Sequence, residues 1–388
     1  MIGIFNDNFP PIIDGVGTTA KNYADWLSFK GQDVCVVTPY APEFPSDLSY
    51  PLYSFLSVPI PGRPPYRYGL PHFDPNFKRV FRSLQFDLIH AHCPFTTGML
   101  ALRTGREHHV PVVATFHSKY RQDFEHAVKS KRLVNYALKR VIEFYESADE
   151  VWIPQAAVEP TLREYGYKGH VEVVGNGNDF VTPAPEIEKI RTSMRAELGL
   201  NSDQTMLLYV GQFTWEKNIR FTLDALLKIS HLPFRFYMIG RGYAEHEIRQ
   251  FIRKHGLDNK IILLGMMQNR ELMKRYYAAA DLFMFPSPYD TFGLVVREAA
   301  AMQTPSIMLS GSTAAAEIKD GFNGFLTPAD IAEYAKQVKY LMENPSEVRQ
   351  VGINASQTLS RSWESVVEEV IDRYKDIIIR YKQRICQS

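Results

Sequence analysis

Cysteine is scarce in this sequence, and so is any excess of charge. Only Cys35, Cys93 and Cys386 occur among the 388 residues. This odd, scattered set provides neither a disulfide framework nor a CxxC zinc spacing, which is typical of a reducing cytoplasm. The 44 Lys and Arg residues nearly balance the 43 Asp and Glu residues, so the basic excess of a nucleic-acid-binding protein is lacking. We therefore expect a cytoplasmic protein without a nucleic-acid partner.

Long apolar runs are also lacking. No run approaches the ~18 residues that a transmembrane helix needs. The N-terminal run MIGIF turns polar at Asn6, too early for a secretory signal. Any membrane contact is therefore expected to be peripheral, at the inner face. Hydrophobic residues make up 45% of the sequence, as in ordinary globular proteins, and the length predicts two domains.

Short apolar segments alternate with amphipathic stretches, and this pattern occurs twice. The first series runs from MIGIF to VEVV at 171–174, and the second from TMLLYVG at 205–211 to PSIML at 305–309. Such alternation predicts an α/β protein with two doubly wound parallel sheets. The Gly-, Asn- and Pro-rich segment 173–186 is the best linker candidate. Loops are expected to dominate residues 40–80, where the Pro-rich stretch 61–75 is expected to be irregular, and the chain after 326 is expected to be helical.

Two glycines follow the first predicted strand. Gly15 and Gly17 bracket a turn that leads into a helix expected to begin near Thr18. The open N–H groups of a helix N-terminus suit a phosphate group. The third glycine of the dinucleotide fingerprint is missing, so a tight strand-to-helix turn explains the pattern equally well.

Two further residues follow strands at the same predicted sheet edges. His117 ends the strand PVVATFH, where it either hydrogen-bonds a ligand or is a buried core histidine. Lys217, in VGQFTWEKN, suits a diphosphate or is simply solvated. His90 and His92 share one strand face while Cys93 points to the other, so these three residues do not predict a metal site.

The segment SPYDTFGLVVREAAAMQTP contains two carboxylates, Asp290 and Glu298. A helix that begins near Phe292 puts them about 10 Å apart, so they are expected to bind two ends of one extended ligand. The N–H groups of Phe292, Gly293 and Leu294 lie between them and suit a diphosphate. The alternative is a helix cap and a solvated residue. Glu298 lies in an apolar stretch, where an unpaired carboxylate is costly, and this favours a functional role.

In combination, these motifs resemble those of the retaining GT-B glycosyltransferases of family 4. The order DGVGT, ATFH, VVGNGND, VGQFTWEKN and DTFGLVVRE matches over nearly the whole chain. The resemblance implies two Rossmann-like domains that face each other across a cleft. Residues 1–177, with a helix at 362–388 that crosses back, would bind the acceptor, and residues 182–361 would bind the donor. It implies transfer of a hexose from a UDP- or GDP-sugar, UDP being the expected nucleotide, with retention and without a metal or other cofactor.

The resemblance also implies roles for individual residues. Asp290 and His117 would be catalytic residues at the donor sugar, and Glu298 would bind the ribose. The full donor-binding set implied is Gly15, Gly17, Gln212, Lys217, Arg241, Phe292, Gly293, Leu294 and Glu298. Two positions differ from the family pattern: Asp290 stands where Glu is usual, and Gln212 where Arg is usual. Arg241 or Arg297 would supply the missing charge.

The acceptor side resembles members that glycosylate membrane lipids such as diacylglycerol or phosphatidylinositol. Asp14 and a basic set are the candidates for acceptor or membrane contact: Lys119, Arg121, Lys129, Lys131, Arg132, Lys139 and Arg140. The apolar side of this segment would be Leu133, Tyr136, Ala137, Val141 and Phe144. A basic amphipathic segment suits an anionic membrane, and a solvated helix is the alternative. A soluble polysaccharide or small-molecule glycosyltransferase, or a sugar-nucleotide-binding protein without transfer activity, are the competing functions.

Overall fold

A computed structural model describes residues 1–12, 14–61, 65–288 and 290–387 of the chain. The chain divides into two compact units. Unit 1 comprises Met1–Gly177 and Trp363–Ser388, and unit 2 comprises Asn178–Ser362. The chain therefore passes from unit 1 to unit 2 within the segment 173–186, whose composition indicates a linker.

Unit 1 is built on a parallel sheet of seven strands. The strands are β1 Ile2–Phe5, β2 Val34–Pro39, β3 Leu52–Phe55, β6 Leu88–Ala91, β7 Val112–Thr115, β8 Glu150–Ile153 and β9 Glu172–Val173. Their order in the sheet is β3-β2-β1-β6-β7-β8-β9. The intervening β4 Ser57–Pro59 and β5 Arg67–Gly69 form a separate antiparallel pair. Apolar side chains fill both faces of the central strands, as expected of a parallel sheet covered by helices.

The helices of unit 1 cover this sheet. They are α1 Gly15–Phe29, α2 Pro75–Phe81, α3 Thr96–His108, α4 Tyr120–Ala127, α5 Lys131–Glu146, α6 Glu159–Glu164 and the last helix of the chain, α14 Trp363–Gln387. Val366, Val370 and Tyr374 of α14 are buried in the same cluster as residues of α1. Lys30 Nζ, at the end of α1, donates to Glu364 at 2.6 Å and to Glu368 at 2.7 Å.

Unit 2 repeats the architecture with a parallel sheet of six strands. They are β10 Thr205–Val210, β11 Phe234–Ile239, β12 Ile261–Gly265, β13 Leu282–Met284, β14 Ser306–Leu309 and β15 Phe325–Thr327, in the order β12-β11-β10-β13-β14-β15. The helices are α7 Ala184–Glu197, α8 Ile219–Lys228, α9 Glu245–Lys254, α10 Arg270–Ala279, α11 Leu294–Ala301, α12 Ile331–Glu343 and α13 Pro345–Thr358. Two apolar clusters lie on the two faces of the sheet. The prediction of two doubly wound domains is confirmed.

The segment 40–80 contains more regular structure than the sequence predicts, and the stretch 61–75 is not irregular throughout, since β5 lies within it. The segment as a whole contains β3, the β4–β5 pair and α2, while residues 62–64 lie outside the described part of the chain. Asp74 stabilises the regular structure at the end of the segment. Its carboxylate caps α2 by accepting the N–H of Phe77 at 2.9 Å and also accepts the N–H of Leu56 at 2.9 Å. Pro75 then occupies the first helical position, where proline is well tolerated.

Three boundaries differ from the expectation. The helix after β1 begins at Gly15 rather than near Thr18, because Asp14 caps it. The helix after β13 begins at Leu294 rather than near Phe292, because Gly293 adopts a left-handed φ of 70°. The chain after 326 is not purely helical, since β15 extends to Thr327. None of the helices within the described residues is long and apolar enough to cross a membrane.

Candidate active site

The loops after β10 and β13 meet in unit 2, because these strands are neighbours in the parallel sheet. Lys217 lies in a short turn after β10 and Asp290 in the loop after β13. Lys217 Nζ lies 2.6 Å from Asp290 Oδ1. Asn218 Nδ2 donates to the carbonyl of Pro286 at 3.2 Å and joins the two loops a second time. The other carboxylate oxygen, Asp290 Oδ2, is buried and has no hydrogen-bond partner among the described residues.

The first turn of α11 follows Asp290 directly. The N–H groups of Val296 and Arg297 donate to the carbonyl of Gly293, at 2.9 and 3.4 Å. The N–H groups of Phe292, Gly293 and Leu294 have no hydrogen-bond partner in the described part of the chain. Open donors at the positive end of a helix are complementary to an anion.

Glu298 is not the unpaired carboxylate that the sequence led us to expect. Arg270 Nη2 donates to its Oε1 at 2.7 Å, and Tyr277 Oη donates to its Oε2 at 2.9 Å. Burial raises the pKa of Tyr277, and the nearby charge of Glu298 raises it further. Arg270 also lies over the ring of Phe180 at 4.3 Å and pairs with Asp179 at 3.2 Å. Sequence analysis missed Arg270 and Tyr277, because no spacing links α10 to a glutamate on α11.

The two arginines expected to compensate for Gln212 lie in different surroundings. Gln212 is exposed, and its carbonyl accepts the hydroxyl of Tyr209 at 2.9 Å. Arg241 follows β11, the neighbour of β10, and its carbonyl accepts the N–H of Phe213 at 2.9 Å. Its Nε lies 3.9 Å from the position of a Cβ on Gly265, at the end of β12. Arg297 is only 2% exposed, and its Nη2 lies 2.9 Å from Glu317. That one of these two arginines supplies the missing charge stays a prediction.

The backbone N–H of Gly17 is already hydrogen-bonded within unit 1. It donates to Asp14 Oδ1 at 2.6 Å, and Asn8 Nδ2 donates to Asp14 Oδ2 at 2.8 Å. A Cβ on Gly17 would lie 3.2 Å from Asp14 Oδ1. The glycine-rich turn therefore fits closely around a capping carboxylate that occupies the N-terminus of α1, and Gly15 is the first residue of that helix.

His117 lies at the end of β7 and is 8% exposed. Its Nε2 lies 3.0 Å from His92 Nδ1, and the two rings are stacked. His90, behind them, contacts Tyr374 Oη at 2.6 Å and Thr115 Oγ1 at 2.7 Å. Burial lowers the pKa of His117 to about 3 and holds the pKa values of His90 and His92 well below their usual range. The three imidazoles are therefore neutral hydrogen-bonding groups at neutral pH.

Cys93 does not join this histidine group. Its Sγ donates to Asn6 Oδ1 at 2.9 Å. Within the described residues, no group of three or more His, Cys, Asp or Glu side chains is arranged to hold a metal ion.

The predicted membrane segment forms two helices, α4 and α5. The predicted apolar stripe is divided between two environments. Val141 and Phe144 are buried in the core of unit 1, whereas Leu133 and Tyr136 are 58% and 64% exposed. The five exposed basic residues of the segment are Lys129, Lys131, Arg132, Lys139 and Arg140. Arg140 Nη1 pairs with Glu143 at 2.5 Å. Arg121 and Lys119 are partly buried.

Two family models match consecutive parts of the chain. Residues 13–180 match the model described as Glycosyltransferase Family 4, and residues 190–358 match Glycosyl transferases group 1. The chain belongs to the glycosyltransferases of family 4. The resemblance found in the sequence motifs is thereby confirmed, and this glycosyltransferase has the GT-B fold of two Rossmann-like units.

Curated relatives of this glycosyltransferase match most of its length. The alpha-monoglucosyldiacylglycerol synthase of Acholeplasma laidlawii is 26% identical over 96% of this chain and 98% of its own length. The protein of the same name from Streptococcus pneumoniae is 25% identical over 79% of this chain and 70% of its own. HepE of Anabaena, solved in complex with UDP and glucose, has a TM-score of 0.76 at 19% identity, covering 96% of this chain and 99% of that chain.

Proposed function

We propose that this glycosyltransferase transfers a hexose from a UDP-sugar to a hydroxyl group of a membrane lipid, with retention of configuration. One observation supports the proposal: Lys217, Asp290 and the first turn of α11 lie close together at the strand ends of unit 2. These groups are complementary to a sugar diphosphate. The cation and the open N–H groups suit its phosphates, and the unpartnered Asp290 Oδ2 suits a sugar hydroxyl.

Glu298 is proposed to accept hydrogen bonds from the ribose hydroxyls. Each of its carboxylate oxygens accepts one hydrogen bond inside the protein and has a second lone pair for a ligand. Arg270 and Tyr277 hold the carboxylate from two sides, so its direction is fixed before the ligand arrives. Such preorganisation lowers the cost of binding.

The transfer itself is proposed to proceed on one face of the sugar. The acceptor hydroxyl oxygen bonds to the anomeric carbon while the bond from that carbon to the diphosphate oxygen breaks. The acceptor proton passes to the departing diphosphate, which serves as the base. Lys217 and the N–H groups of α11 stabilise the negative charge that develops there. Because attack and departure share one face, the product keeps the donor configuration.

No metal or other cofactor is included in this proposal, since Lys217 and the helix end supply positive charge at the diphosphate. Full activity in excess EDTA is the expected result. His117 is proposed to donate or accept a hydrogen bond at the sugar, in keeping with an imidazole that burial keeps neutral. A proton-transfer role at neutral pH does not fit a pKa of about 3.

The acceptor part of the proposal rests on α5 and on the relatives. Leu133 and Tyr136 are exposed apolar side chains, and Lys129, Lys131 and Arg132 lie close to them in sequence at the start of the helix. Apolar groups flanked by cations suit an anionic bilayer surface. Two relatives are named as synthases of a glucosyldiacylglycerol, and diacylglycerol is therefore the first acceptor to test.

A transfer assay tests the proposal. The protein is incubated with UDP-glucose or GDP-mannose and with diacylglycerol in phosphatidylglycerol vesicles or a soluble oligosaccharide. We expect UDP and a glycolipid as products, with the donor's anomeric configuration by NMR. An inverted product would refute the mechanism, and transfer to the oligosaccharide alone would refute the lipid acceptor. Donor binding without any transfer would indicate a sugar-nucleotide-binding protein.

A further inference from the structure

A cavity of about 320 Å³ lies within unit 1, beside α4 and α5 and at the end of α6. Its lining residues are Arg121, Asn135, Leu138, Lys139, Ile142, Tyr165 and Gly166. None of the roles proposed above for donor binding or transfer uses this cavity. It combines a polar and an apolar part, because Leu138 and Ile142 are buried side chains of the unit 1 core.

The charge of this cavity has one sign. Arg121 and Lys139 are its two charged lining residues, and no acidic side chain is among the lining residues. Asn135 and Tyr165 add neutral polar groups, and Tyr165 Oη accepts the backbone N–H of Arg121 at 3.1 Å. The lining is therefore complementary to an anion that carries an apolar portion.

Arg121 makes one side-chain hydrogen bond and long contacts with its charged neighbours, and its guanidinium carbon lies 5.7 Å from the centre of the Tyr165 ring. Its Nη1 donates to Asn135 Oδ1 at 3.2 Å, and its Nε lies 3.5 Å from Glu164. Glu125 is 4.0 Å away. Both glutamates are exposed, and ion pairs of this kind contribute about 0–1 kcal/mol. The Nε–H of Arg121 is buried and has no hydrogen-bond partner within the described residues, which leaves an unsatisfied charged donor beside the cavity.

Lys139 differs from its neighbour in sequence. Arg140 is paired with Glu143, whereas Lys139 has no ion pair in the part of the chain that the structure describes. A guanidinium donates to two oxygens in a fixed fork, and an ammonium adds a second cation with freely rotating donors. Together they match the oxygens of a phosphate group whose carbon chain contacts Leu138 and Ile142.

We propose that this cavity is a binding site for a phosphate ester, with Arg121 and Lys139 as its anion-binding residues. The ligand is either the phosphate headgroup of an anionic lipid or a soluble phosphate ester of the same chemistry. If the ligand is a lipid headgroup, the cavity would add a second point of contact to the membrane surface proposed above. The site itself does not depend on the transferase proposal, because a soluble ester tests it without donor, acceptor or membrane.

The test begins with glycerol 3-phosphate titrated into the full-length protein. Binding is followed by ¹H–¹⁵N NMR at the Gly166 amide and the Arg121 Nε–H. We expect saturable shifts at both groups. Arg121→Gln and Lys139→Gln should each weaken the affinity at least about tenfold, as loss of a charge-assisted hydrogen bond implies. Arg140→Gln is the matched control, one residue further along α5, and should leave the affinity unchanged. Arg121→Lys should restore part of the affinity lost in Arg121→Gln.

A second measurement identifies the source of the phosphate. The same variants are sedimented with vesicles of phosphatidylcholine and phosphatidylglycerol in equal amounts. Loss of vesicle binding in Arg121→Gln but not in Arg140→Gln supports a lipid headgroup. Saturable glycerol 3-phosphate binding with unchanged sedimentation supports a soluble ester. Absence of saturable shifts, or equal losses in Arg121→Gln and Arg140→Gln, would overturn the proposal.

Discussion

Lys217 and Asp290 share one hydrogen bond in unit 2, with Nζ 2.6 Å from Oδ1. The ammonium proposed for the diphosphate is thus already neutralised by the carboxylate proposed for the sugar. A bound diphosphate and Asp290 would compete for the same cation. Removal of the Asp290 charge should therefore have opposite effects on turnover and on nucleotide affinity.

Asp290→Asn should separate turnover from nucleotide binding. We expect kcat to fall by roughly 100-fold or more, in the range measured when one group that stabilises a transition state is removed. UDP should bind several-fold more tightly, because the variant no longer neutralises Lys217 or repels the diphosphate. Steady-state kinetics and calorimetry check the two parts. Weaker UDP binding in a folded Asp290→Asn variant would contradict the shared-cation interpretation.

Tyr277→Phe should impair recognition of the ribose. Glu298 loses one of two hydrogen bonds that fix its direction, so the Kd for UDP should rise about tenfold. Discrimination between UDP and 2′-deoxy-UDP should also diminish, and Glu298→Ala should abolish it. Tyr276→Phe is the control, since Tyr276 is the neighbouring phenol on α10 and does not contact Glu298. Equal effects of the two phenylalanine variants would assign Tyr277 to the stability of α10 instead.

Replacement of Lys129, Lys131 and Arg132 by Ser should release the protein from anionic vesicles. Each cation near such a surface contributes about 1 kcal/mol, so the triple variant should bind at least about tenfold more weakly. Donor hydrolysis should be unchanged. The control carries the same change at three exposed lysines of unit 2: Lys228, Lys336 and Lys339. If wild-type protein ignores anionic vesicles at low salt, the lipid-surface proposal fails.

Acid should destabilise unit 1 through its buried histidines. The folded-state pKa of His117 is about 3, against an ordinary value of 6.5. The unfolded chain therefore binds more protons as the pH falls from about 6.5 towards 3, and stability falls over that window. At pH 5 the loss from His117 alone is about 2 kcal/mol. Asp7 acts in the opposite direction, because burial raises its pKa to about 6.

Denaturant unfolding at pH 7 and pH 5 measures this effect. A Trp215→Phe background limits tryptophan fluorescence to unit 1, which contains Trp26, Trp152 and Trp363. His117→Gln should reduce the difference between the two pH values. An identical difference in the variant would show that His117 does not titrate on unfolding as described.

The sequence predicted the sheets better than the site contacts. Central strands such as MIGIF and TMLLYVG carry their own signal, because strands buried on both faces are apolar throughout. The edge strands β3 and β15 were missed, since both are short and each contains a polar residue, Ser54 in β3 and Thr327 in β15, among apolar ones. Motifs provided Asp290, Lys217 and Glu298 as candidates, but motif spacing contains no information about contacts from side chains on other helices. The contact of Arg270 with Glu298 and the exposure of Leu133 both depend on how the helices pack. Only the structure shows this packing.

The C-terminal helix has a consequence for the order of folding. During synthesis unit 1 is translated first, yet α14 supplies Tyr374 to His90 and Trp363 to the packing around α1. These side chains emerge from the ribosome only after all of unit 2 has been made. We therefore expect the apolar face of unit 1 that α14 covers to stay exposed until unit 2 has been synthesised. This would be an exception to the usual N-to-C order of domain folding on the ribosome. Premature termination directly before α14 would accordingly leave unit 2 complete and make unit 1 the target of chaperones and proteases.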